Sequence, residues 1–160
     1  MKFTTIAMGI SSLALSLLVF AGSARADETF YGTVESYGGG TIVVHTTKHS
    51  VGTWKTDGTT KITGAIEALD WVFVDVETSG HVRTLRMEEK PTQHSGVVKE
   101  VKGKVLAVHS GPNMENWNLT ETTIMNGIAA ADVAVGDEIG VRLYKNHNLA
   151  EVKLIKHGVK

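Results

Sequence analysis

The stretch Gly32–His45 reads GTVESYGGGTIVVH, and Gly96–His109 reads GVVKEVKGKVLAVH. At a constant offset of 64, five of 14 positions are identical: Gly32/Gly96, Val34/Val98, Gly39/Gly103, Val44/Val108 and His45/His109. The match continues at offset 63 with Trp54/Trp117, Thr60/Thr123 and Gly64/Gly127, and at offset 67 with Asp70/Asp137 and Val74/Val141. One deletion and a four-residue insertion near Ala129 to Ala134 account for the changes. The chain therefore carries one unit of roughly 60 residues twice, too few copies for a solenoid or propeller. Each copy reads as strands around glycine turns. Thr29–Tyr37 and Thr41–Thr46 flank Gly38-Gly39-Gly40, a hairpin signal. A third strand runs near Val51–Thr56, with a resumption at Thr60–Ile62. Ala65–Leu69 suits a single packed helical turn. Val72, Val74 and Val76 alternate as one buried strand face, and His81–Glu88 closes the copy. Copy two repeats the order as His94–Val101, Lys104–His109, Asn116–Met125, a turn at Ile128–Ala134, Glu138–Tyr144 and Asn148–Lys156. There Ile139, Val141 and Leu143 replace the three valines.

Strand, strand, strand, short helix, strand, strand is the order of an OB-fold. The fold class expected is all-β: two tandem small five-stranded OB-like barrels, each with one short helical turn. A unit of this size is marginal alone, and free strand edges are a liability that barrel closure removes.

Outward from the repeat, the 160 residues divide into four segments. Residues 1–26 read as a cleaved signal peptide. Lys2 gives the positive start, Ile6 to Ala21 is apolar and shorter than the roughly 20 residues that span a bilayer, and Ala24-Arg25-Ala26 is the cleavage pattern. Residues 27–89 form the first barrel, 90–92 a short linker and 93–160 the second barrel. A periplasmic or secreted location follows, with no membrane span after signal cleavage. The mature chain has 14 basic and 17 acidic residues. Nucleic-acid binders usually carry a basic excess, so no nucleic-acid partner is expected. Cysteine is absent, which excludes disulfides and thiol nucleophiles. No catalytic motif is found, and the chain reads as non-enzymatic.

The seven histidines all lie in the mature chain. Neutral imidazole binds copper, nickel and zinc. His45 and His109 close equivalent strands, His45 and His49 form an H-x3-H pair, and Trp54 and Trp117 follow at +9 and +8. These residues make a candidate metal site of His45, His49 and His109. A second candidate is an outward aromatic face. If the three valines point inward, Trp71, Phe73, Asp75 and Glu77 point outward, and copy two places Glu138, Gly140, Arg142 and Tyr144 there. Trp71 and Phe73 then either pack on the other barrel or meet a protein or glycan partner.

Two resemblances bear on this. A hydrophobic strand ending in histidine, with tryptophan entering the third strand, resembles the periplasmic copper and silver chaperone family typified by CusF. Leu106-Ala107-Val108-His109 with Trp117 keeps that spacing, and Ile42-Val43-Val44-His45 with Trp54 is one residue longer. The resemblance implies a Cu(I) ion covered by the indole ring. The family's methionine positions hold Asp57 and Thr59 in copy one, and Thr120 and Thr122 in copy two. That departure leaves weak imidazole binding of divalent ions as the expectation. The second resemblance spans residues 30–156. Gly96-Val97-Val98-Lys99-Glu100-Val101, Thr123-Ile124 and Val135-Gly136-Asp137-Glu138-Ile139 are similar to tandem bacterial exported domains of unknown function, in which each tryptophan is a barrel residue.

Overall fold

The computed structural model describes residues 27–48 and 50–158. Residues 1–26, where a signal peptide is expected, and His49 lie outside them. The first half holds β1 (Glu28–Gly38), β2 (Thr41–Thr46), β3 (Ser50–Lys55), β4 (Lys61–Thr63), β5 (Trp71–Val76) and β6 (Val82–Glu89). The second holds β7 (Thr92–Lys102), β8 (Val105–Ser110), β9 (Asn113–Asn118), β10 (Ile124–Asn126), β11 (Glu138–Leu143) and β12 (Leu149–Lys156). The sheet orders are β3-β2-β1-β5-β6-β4 and, equivalently, β9-β8-β7-β11-β12-β10.

Each sheet curls into a partly open barrel. In the first, Lys55 at the end of β3 forms a parallel bridge with His81 beside β6, and its amide donates to the Gly80 carbonyl at 3.1 Å. In the second, Asn118 bridges to Asn148 and donates to the His147 carbonyl at 2.9 Å. The all-β tandem OB-like architecture is therefore present, with two differences from expectation. Each barrel has a sixth short strand, β4 or β10, paired in parallel with the last strand. In addition, Ala65–Leu69 is not helical, whereas copy two has a 3-10 turn at Ala130–Asp132. Those three residues fall in the four-residue insertion. The shorter first copy keeps only the turn that both copies share, closed by the Asp70 amide on the Glu67 carbonyl at 3.3 Å as the Asp137 amide closes it on Ala134 at 3.1 Å.

The duplication extends to register. Ile42 pairs with Trp54 as Leu106 pairs with Trp117. Bulges recur at Val34/Ser36 and Val98/Glu100, and again at Asp75/Val76 and Arg142/Leu143. The repeated identities have structural work in common. A Cβ on Gly32 would overlap the His45 carbonyl oxygen, and one on Gly96 would lie 2.7 Å from the His109 carbonyl oxygen. The Thr60 hydroxyl donates to the Val82 carbonyl at 2.8 Å, and Thr123 does the same to Leu149 at 2.8 Å. Asp70 and Asp137, both buried, accept the amides of Glu67 and Ala134 and so close the turn before β5 or β11.

Each barrel has its own core. The first gathers Val34, Ile42, Val44, Trp54, Val72, Val74 and Leu85, and the second Val98, Leu106, Val108, Trp117, Ile139, Val141 and Val152. The expected inward faces of β5 and β11 are thus inside.

Candidate functional site

Strand alternation sorts the predicted site residues onto two sides of each sheet. Ile42, Val44 and Thr46 are buried, so His45 lies on the outer face of β2. Trp54, paired opposite Ile42, is 3% exposed and inside. In the second barrel His109 is exposed on the outer face of β8, whereas Trp117 is fully buried. The chaperone-like geometry, with indole over a histidine-bound ion, is therefore not formed at either site. His45 Nε2 instead meets Glu35 Oε2 at 2.8 Å. His109 stands opposite Met114 on β9. Among the described residues, no group of three or more His, Cys, Asp or Glu side chains could hold a metal ion. The tryptophans serve their cores: Trp54 packs on Phe30 at 4.4 Å between centroids, and Trp117 faces the His94 ring at 6.3 Å. Trp117 Nε1 donates to Glu115 at 2.8 Å.

The aromatic face is assembled. Phe73 on β5 stands directly opposite Tyr31 on β1 and Arg86 on β6. Tyr31 meets Phe73 edge-on at 5.4 Å and stacks with Trp71 at 6.4 Å and 12°. The Arg86 guanidinium carbon lies 5.1 Å from the Phe73 centroid, within cation–π range, and its Nε is held by Glu88. Tyr31 is 46% exposed, and Trp71 and Phe73 are half-buried. Beside this face, Arg83 holds Asp75 and Asp27 at 2.8 Å each. The Arg83 hydrogen bonds lower the Asp75 carboxyl below its ordinary value.

At one end the face continues into the second barrel. Trp71 packs edge-on against Tyr144 at 5.6 Å. Tyr144 follows β11 and is 4% exposed, not outward as expected. Its hydroxyl donates to the Leu69 carbonyl at 2.7 Å and lies 3.1 Å from the buried Thr33 hydroxyl. The amide of Lys145 donates to Glu89 at 2.7 Å. Burial pushes the Tyr144 phenol well above its ordinary value. Trp71 thus packs on the other barrel, while Phe73 remains on the open face of its own.

Sequence reasoning located Trp71 and Phe73 but missed Tyr31 and Arg86. Both come from neighbouring strands, and only the pairing register brings them together. The repeat did contain a signal: Tyr31 aligns with Ser95 and Phe73 with Gly140, so copy one is aromatic where copy two is small.

No family model matches the chain, and no curated protein matches it. Solved structures similar to it include Drosophila Unr CSD456, at 11% identity and TM-score 0.31, with 81% of this chain and 61% of that one covered. Another is a multidomain protein with nucleic acid binding domains from Streptococcus pneumoniae TIGR4, at 15% identity and TM-score 0.26, with 81% and 46% covered. The chain thus spans less than two thirds of either. The expected exclusion of a nucleic-acid partner is corrected by this finding. It rested on net charge, which averages over the whole surface and says nothing about one strand face. No helix among the described residues is long and apolar enough to cross a membrane.

Proposed function

We propose that this chain is an exported, non-enzymatic binding protein whose first barrel contacts a protein partner through Tyr31, Trp71, Phe73 and Arg86. The observation that carries this reading is the run of rings on β1 and β5, with Tyr31 exposed and Trp71 and Phe73 half-buried, at positions where the second barrel has Ser95, Glu138 and Gly140. Tyrosine, tryptophan and arginine dominate binding energy at protein interfaces, because large rigid rings bury much area with little loss of side-chain freedom. The ion pairs Arg86–Glu88 and Arg83–Asp75 supply the polar rim such contacts have. The export signal supports a periplasmic or secreted partner, and the duplicated pattern fits the tandem exported domains that the sequence resembles. The copper-chaperone resemblance has less support, because histidine and tryptophan face opposite ways.

A photo-reactive residue at position 31 in the exported protein tests the proposal. The expected result is one discrete protein adduct, lost on Phe73→Ser and absent when the probe sits at Ser95. No adduct, or equal adducts at both positions, would refute it. Glycan binding that depends on Phe73 would replace the protein partner with a saccharide.

A further inference from the structure

The second barrel presents a different surface at the position of the aromatic face. Two adjoining hollows, of about 630 and 250 Å³, share Gln93 and Gly140 on the outer side of β7, β11 and β12. They exist because Gly140 and Ser95 stand where copy one has Phe73 and Tyr31, and the rings that fill the first barrel's face are missing. Charge is inverted at the same place. Asp75 of copy one, held by Arg83, corresponds to Arg142, and Arg83 corresponds to Ala150. Arg142 is half-buried, and among the described residues it has no carboxylate partner within 4.0 Å. Lys153, also without one, pairs with Gly140 across β11/β12, two residues along from Glu151, which pairs with Arg142. Arg142 and Lys153 are therefore diagonal neighbours, about 7–8 Å apart at the backbone, a separation their long side chains close easily. Glu151 turns instead to the Asn126 amide, which donates to it at 3.1 Å.

We propose that this trough is a binding site for an acidic saccharide. The oxyanion sits between Arg142 and Lys153, where a guanidinium fork and an ammonium both donate. The hydroxyl-bearing ring lies along Gln93, Ser95 and Ser110, which line the larger hollow and both donate and accept. Glu151, beside the two cations, accepts a sugar hydroxyl. The site is independent of the protein contact proposed for the first barrel, because the residues and the barrel differ.

Titration calorimetry of the mature protein with a galacturonate oligomer, galactose, glucose 6-phosphate and acetate tests this, with amide chemical shifts locating the contact. Binding of the galacturonate oligomer, with shifts at Gln93, Gly140, Arg142 and Lys153, is expected, and at least tenfold weaker binding by galactose and by acetate. Arg142→Gln should weaken it about tenfold or more, the scale of a lost charged hydrogen bond. Gly140→Phe restores the copy-one residue. A Cβ there meets only Ile155, at 3.5 Å, so the fold should persist while the trough fills and binding is lost. If glucose 6-phosphate binds more tightly than galacturonate, the oxyanion is a sugar phosphate, and the acidic-saccharide assignment stands in that form. Acetate binding as tightly as the oligomer, no binding of any acidic sugar, or binding unchanged in Gly140→Phe would overturn the proposal.

Discussion

Gly32 and Gly96 show how a single residue sets the geometry of a barrel. Each sits where β1 or β7 passes close over the next strand, with a valine Cγ1 2.5 Å from any Cβ it would carry. Gly32→Ala or Gly96→Ala should destabilise its barrel by about 1–3 kcal/mol, the range for forced overpacking, read by denaturant unfolding. Leu69 makes the opposite case. It has φ +73°, and its counterpart Gly136 has φ +96°. A leucine held in the left-handed region is strained, and its carbonyl is the one that Tyr144 grips. The histidines are also decided at this scale. His45 pairs with Val51 and His109 with Met114 across their hairpins, and each tryptophan lies three residues further on, an odd number. An odd step moves a side chain to the other face. Cu(I) titration should therefore leave tryptophan emission unchanged. Stoichiometric quenching would mean that the register in solution differs.

At the scale of elements, the connection from β3 to β4 is held by one repeated threonine. Thr60 accepts the Asp57 amide and donates to Val82, and Thr123 accepts the Thr120 amide and donates to Leu149. Thr123→Val keeps the shape, removes the hydroxyl and should lower stability by about 1–3 kcal/mol, since a buried carbonyl loses its donor. The same connection in copy one carries an acid-sensitive group. The Thr59 hydroxyl and amide, with His81 at 3.0 Å, lower the Asp57 carboxyl to about 2. A depressed carboxyl stabilises the fold fully above its ordinary value of 3.8, and that contribution is lost as pH falls from there toward 2. Asp57→Asn should remove this part of the acid dependence, visible as a flatter unfolding midpoint between pH 4 and 2.

For the whole molecule, the question is what fixes one barrel against the other. β6 ends at Glu89 and β7 begins at Thr92, so the connection is short, and Tyr144 reaches from the second barrel to Thr33, Leu69 and Trp71 of the first. Tyr144→Phe should lower stability by about 1–3 kcal/mol, because Leu69 and Thr33 lose a buried partner. The phenol's raised value gives a second check. Its contribution is complete below the ordinary 10.0 and declines as pH rises beyond it. A tyrosinate absorbance titration should show one tyrosine ionising later than the others, and Tyr144→Phe should abolish that late step.

Much of this was legible in the sequence. Alternating valines, glycine turns and a repeat at nearly constant offset determined the strands, the cores and the duplication, because inward and outward faces follow a period of two and turns need left-handed residues. The outward placement of Trp71 and Phe73 follows from the same alternation. What the sequence alone could not decide was which strands lie side by side. The grouping of Tyr31, Phe73 and Arg86, the placement of Arg142 beside Lys153, the opposed faces of His109 and Trp117, and the burial of Tyr144 all depend on cross-strand register and barrel docking. These are settled by contacts between residues far apart in the chain, and local periodicity carries no record of them.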